Sequence, residues 1–99
     1  MPDFTAATFR PHADTTFLAT PEGGADEVAI TLVEVADGTV YEGQPRQDPF
    51  SLWFTGPAGA LLGQGTYALR HDVLGELALF LIPRTPGTDG LPVLEAVFN

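Results

Sequence analysis

Two histidines, His12 and His71, one serine, Ser51, and thirteen carboxylates are the side chains of this 99-residue chain with the most obvious chemistry. The sequence contains neither cysteine nor lysine, its four cations being Arg10, Arg46, Arg70 and Arg84. Without lysine there is no Schiff-base chemistry and no P-loop lysine to hold a nucleoside triphosphate. Without cysteine there is no thiol nucleophile, no thiolate metal site and no disulfide. Ser51 lies in the apolar run FSLWFTGP rather than on a glycine-flanked elbow, so it does not read as a hydrolase nucleophile. Two distant histidines fall short of a three-histidine zinc site and lack the HExxH spacing. The pairs Asp37-Gly38 and Asp89-Gly90 read as turns, because neither sits in the ladder of oxygens that a calcium loop needs. Paired carboxylates of the glycosidase kind remain, but thirteen acids in so short a chain make close pairs unavoidable and the signal unspecific. The expectation is a chain that is not an enzyme and needs no cofactor or metal.

The elements that must position these groups are strands. In EVAITLVEV (27–35) Val28, Ile30 and Leu32 alternate, and Val33 and Val35 then take the other parity, which predicts a bulge or a strand buried on both faces. Asp37-Gly38 predicts a turn, and QPRQDP (44–49) a loop. FSLWFTGP (50–57) predicts a strand with Phe50, Leu52 and Phe54 on one face and Ser51, Trp53 and Thr55 on the other, ended by Gly56-Pro57. Leu61 and Leu62 are expected to fold back over one end of the core. GTYALR (65–70) and ELALFLI (76–82) flank HDVLG and predict a hairpin with a five-residue connection. Pro83, Pro86, Gly87, Asp89 and Gly90 predict the next turn, and PVLEAVFN (92–99) a last strand with Leu94, Ala96 and Phe98 on one side. Near the start, TAATF reads as a short helical turn or a strand, TTFLAT (15–20) as a strand and PEGGAD as a turn.

About six strands with short connections and no helix long enough for a crossover imply antiparallel pairing. The reading is one all-β domain over 1–99: a small antiparallel β-barrel or tight sandwich with a short N-terminal helical turn.

A net charge of −9 argues against nucleic acid and against anionic membranes, both of which call for cations. It reads as solubility and mutual repulsion between copies. No run of 18 apolar residues exists, and the first residues lack a basic and apolar leader, so the expectation is a cytoplasmic protein unless a signal-less route exports it.

Three residues stand out as contacts for a partner. Trp53 points away from the Phe50 face; it is either an exposed anchor or covered by the N-terminal segment as a second core residue. His71 and Asp72 lie at the hairpin tip. Histidine there suits a proton-sensitive contact; the plainer reading is that Asp72 caps the turn and His71 is solvated. Arg70 and Arg84 are expected to pair with surface carboxylates.

The residues FSLWFTGP (50–57), QGTYALRHDVLGELALFLIP (64–83) and EAVFN (95–99) resemble a family of short bacterial proteins described as a domain of unknown function. The pattern is Phe-Ser-Leu, an aromatic and Gly-Pro; Gln-Gly-Thr-Tyr; a histidine and Leu-Gly at a hairpin tip; Leu-Phe-Leu and proline; and Glu-Ala-Val-Phe-Asn. Leu94, where the family has tyrosine, and Trp53, where it has a smaller apolar residue, depart from it. The resemblance implies no catalytic residue. It implies neighbours with phage-tail-collar-like domains, and hence a role in a surface or tail-like fibre. In this signature Phe50, Phe54, Tyr67, Leu79, Phe80 and Phe98 read as core packing, while Gln64, Thr66 and His71 read as residues that tie loops through hydrogen bonds.

The functional expectation is an assembly or adaptor domain that binds another protein, or itself, by strand addition at an open sheet edge and through Trp53. The alternatives are a small-ligand-binding barrel with its ligand between the sheet faces or at one mouth, and a carboxylate-pair enzyme.

Overall fold

A computed structural model describes residues 5–24, 26–37, 49–59, 62–87 and 89–98. A four-residue helix, α1 (Ala6–Phe9), runs into a 3-10 turn over Arg10–His12. Six strands follow: β1 (Thr16–Pro21), β2 (Val28–Asp37), β3 (Phe50–Thr55), β4 (Gly65–His71), β5 (Gly75–Arg84) and β6 (Val93–Phe98). Every pairing is antiparallel, and the ring β1-β2-β3-β6-β5-β4 closes on itself. Of the two architectures the pattern allowed, the barrel is the one formed.

Two three-stranded meanders, β1-β2-β3 and β4-β5-β6, build the ring, joined at β1 with β4 and at β3 with β6. The two ten-residue strands lie at the centres of these meanders and change partner along their length. β2 pairs with β1 through Thr31 and with β3 from Thr31 onward. β5 pairs with β4 up to Leu81 and with β6 from Ile82.

Alternation selects the inside. β3 shows strict in-and-out burial, with Phe50, Leu52 and Phe54 inward. With Phe17, Ile30, Leu32, Leu69, Leu81 and Leu94 they are essentially inaccessible to solvent. Phe17 meets Phe54 edge-on at 5.5 Å between ring centres. The parity change in β2 is a bulge: the register slips between Leu32 and Glu34, and Val33 is pushed outward to 44% exposure.

Several local expectations change. TAATF is helical, and with the following 3-10 turn it closes one end of the barrel. Phe9 sits 6.1 Å from both Phe50 and Phe98, which are themselves stacked at 4.4 Å. From Thr5 onward the N-terminal segment is therefore docked on its own barrel through Phe9. The β4–β5 connection is tighter than five residues, because pairing continues to His71↔Gly75. Pro83 lies inside β5 rather than in a turn; β4 has ended by then, so a residue whose N–H would face that side loses no ladder bond as proline. Leu62 packs against the core as expected, whereas Leu61, the Gly38 side of the Asp37-Gly38 turn and positions 44–48 lie outside the described residues.

Candidate functional site

β3 carries Trp53 on the outside of the barrel, half-buried and in register with Glu34 of β2 on one side and Glu95 of β6 on the other. It is thus neither a free anchor nor a core residue. Glu95 pairs in turn with Ile82 of β5 and accepts a hydrogen bond from Arg84 Nε at 2.7 Å. Although it points outward, Glu95 is only 8% exposed. The Glu34 side chain is exposed and has no hydrogen-bond or ion-pair partner among the described residues.

On the same face the β5–β6 ladder stops early. It holds three pairs, Ile82↔Glu95, Pro83↔Leu94 and Arg84↔Val93. Both strands run on, and continuing the register would set Phe80 against Val97. Instead Phe80 is 51% and Val97 40% exposed. Ala96 and Val97 of β6 therefore have no ladder partner in β5, whereas β3 is laddered along its whole length on both sides. The open sheet edge expected from sequence does not exist as a full strand, since the ring closes; it shrinks to this seam. Phe80, read as core from the signature, is a surface residue. Its parity carried the warning, because Leu79 and Leu81 point inward and Phe80 lies between them.

His71 ends β4 and is 9% exposed, so it is buried and not solvated. Its Nδ1 accepts the backbone N–H groups of Val73 at 3.0 Å and Leu74 at 3.1 Å. The histidine ring caps the turn, and Asp72 beside it is exposed. Two donors on Nδ1 leave the ring proton on Nε2, which donates to Thr15 Oγ at 2.9 Å. The Thr15 hydroxyl in turn donates a hydrogen bond to the carbonyl of His12. The rings of Phe17 at 4.4 Å and His12 at 4.8 Å complete the enclosure. Burial, helped by the nearby His12, pulls the His71 pKa below its ordinary 6.5, with Asp72 opposing.

The three residues singled out from sequence do not converge. β3 and β4 are not neighbours in the ring, so Trp53 lies on a different wall from His71 and Asp72. Tyr67 Oη donates to the Gly63 carbonyl at 2.6 Å, and its pKa is raised by burial, which that bond opposes; the signature tyrosine thus ties a loop as well as filling the core. Among the described residues no group of three or more His, Asp or Glu side chains could hold a metal ion. Glu34 and Glu95 flank one strand, which sets their backbones roughly 9–10 Å apart on a convex wall with Trp53 between them. That is not a cleft for a carboxylate pair. Among the described residues, concavities of about 260–430 Å³ are open surface depressions, and the barrel axis is filled by the phenylalanines and leucines named above. Among the described residues no helix is long and apolar enough to cross a membrane.

Among these residues each arginine is already engaged: Arg10 with Asp37, Arg70 with Glu27 and Arg84 with Glu95. The acidic excess is left facing solvent. No curated protein and no solved structure matches the chain. A family model described as a domain of unknown function, DUF6916, matches residues 4–98. The chain, a closed six-stranded barrel plugged by its own N-terminal turn, belongs to that family.

Proposed function

We propose that this barrel is a non-enzymatic adaptor that holds an extended segment of another protein against the outer face of β3, β6 and β5. The observation that carries the reading is the interrupted seam: the ladder ends at Ile82↔Glu95, and the next outward-facing side chains, Val97 and Phe80, are exposed one and two strands from Trp53. An extended segment would meet β6 backbone at Ala96 and Val97 that is not laddered to β5, and an apolar strip beside it. Charge narrows the occupant. With the net charge at −9 and the described arginines paired internally, the complementary segment alternates apolar residues with arginine or lysine. The same charge opposes self-association through this face. The family resemblance motivates seeking that segment first in proteins of surface or tail-like fibre systems.

The test is photo-crosslinking from position 97 in the native host, with the exposed position 16 on β1, the strand opposite β6 in the ring, as the control. The captured site is then synthesised as a peptide and titrated against the purified domain. Saturable binding that weakens at least about tenfold in Trp53→Ala and in Phe80→Ser supports the reading. Equal capture from both positions, or a peptide indifferent to both substitutions, overturns it.

A further inference from the structure

We infer that His71 is a proton-operated latch that holds the N-terminal segment over one end of the barrel and releases it when the ring gains a second proton. The inference is independent of the adaptor reading and rests on connectivity around one side chain.

The neutral ring does two jobs at once. Nδ1, carrying no proton, receives the N–H groups of Val73 and Leu74 and so shapes the β4–β5 turn. Nε2–H donates to Thr15, whose hydroxyl donates to the His12 carbonyl, so the same ring ties the strand start to the 3-10 turn ahead of it. A second proton can enter only at Nδ1, where it would oppose two amide hydrogens already pointing there. The charged ring would also lie between the rings of Phe17 and His12 with little water to solvate it. Protonation and the closed arrangement therefore exclude one another.

The groups facing the ring from each packed element are few. The 3-10 turn contributes His12, the residue ahead of β1 the uncharged Thr15, β1 itself Phe17, and the hairpin Asp72. Arg70 and Glu76 line the same open depression as His71, but Arg70 is held by Glu27. Asp72 is the group that favours the charged ring, and burial with His12 outweighs it. What the latch covers is the aromatic mouth: Phe9 of the released segment is the residue that faces the Phe50–Phe98 stack.

The direction follows from linkage. In the open form His71 titrates near its ordinary 6.5, and in the closed form below it. Closure is therefore insensitive to pH above that value. Below it closure weakens by up to about tenfold per pH unit, and it levels off once the closed-state pKa is passed.

The experiment is amide hydrogen exchange on the whole chain from about pH 7 to about pH 5, expressed as protection factors for residues 6–15 and for β3 as an internal reference. In the wild type, protection of 6–15 should fall severalfold, mostly below pH 6.5, while β3 holds. In His71→Asn, whose Oδ1 can accept the same two amides but cannot titrate, the fall should vanish. In His12→Gln it should persist, since His12 contributes its backbone carbonyl. If His71→Asn does not fold, nitrogen NMR of the wild-type ring decides: Nδ1 unprotonated at neutral pH, and gaining its proton together with the loss of protection. Protection of 6–15 that is flat with pH, or a fall that His71→Asn retains, or one that His12→Gln abolishes, overturns the latch.

Discussion

The Nε2 of His71 lies 2.9 Å from the hydroxyl of Thr15, 56 positions earlier in the chain. Through it a residue at the start of β1 and a residue at a hairpin end close the same barrel mouth. Thr15→Val should remove the acceptor for Nε2–H while keeping the β-branched shape. It should destabilise the domain by about 1–3 kcal/mol, and Thr15→Ser should restore most of the loss. Urea denaturation checks this: the midpoint should fall with little change in slope.

Gly75 pairs with His71 at the close of the hairpin and has a φ of 76°, with nothing within 4 Å of where a Cβ would sit. Space is therefore not the constraint; backbone conformation is. Gly75→Ala should cost about 1–2 kcal/mol and Gly75→Asn clearly less, because asparagine tolerates the left-handed region better. If thermal melts rank alanine and asparagine equal, the turn has another conformation in solution.

What the sequence made legible was period and parity. The strict alternation of Phe50 to Thr55 marked which side chains enter the core, and the parity break at Val33 left a bulge or a strand buried on both faces, of which the bulge is the one formed. Closure was harder to see, since it depends on which strands meet, and β3 with β6 pairs residues some forty positions apart. The site was least legible. Trp53 was marked by type, but Phe80 and Val97 become a surface feature only because the β5–β6 ladder stops at Ile82↔Glu95. His71 was noticed for titration, while its capping of the turn required knowing that Phe17, Thr15 and His12 enclose it.

Trp53 and Phe54 are adjacent, yet they should respond in opposite ways. Phe54 is fully buried against Phe17, so Phe54→Ala should cost about 3–5 kcal/mol. Trp53 is half-buried on the outer wall, and Trp53→Ala should cost about 1–2 kcal/mol while preserving the far-UV β signature. Loss of binding by the captured peptide in Trp53→Ala at full folding separates docking from stability. A comparable collapse in both variants would make Trp53 a structural residue.

Arg84–Glu95 and Arg70–Glu27 are both short ion pairs, at 2.7 Å and 2.6 Å, but they differ in shielding. The Glu95 side chain is 11% exposed, whereas Glu27 and Arg70 are 40% and 55% exposed. An enclosed carboxylate left without its partner keeps its desolvation penalty, and an exposed one is rehydrated. Arg84→Ala should therefore destabilise by about 1–3 kcal/mol and Arg70→Ala by less than about 1 kcal/mol. Double-mutant cycles with Glu95→Gln and Glu27→Gln should give coupling only for the first pair, and that coupling should survive added salt. Arg84 also lies in the three-pair segment that alone joins β5 to β6. The same variant should therefore loosen the seam, seen as faster amide exchange at residues 82–84 and 93–95 than elsewhere in the barrel. Uniform exchange in Arg84→Ala would mean that the seam is held by the ladder itself and not by the ion pair across it.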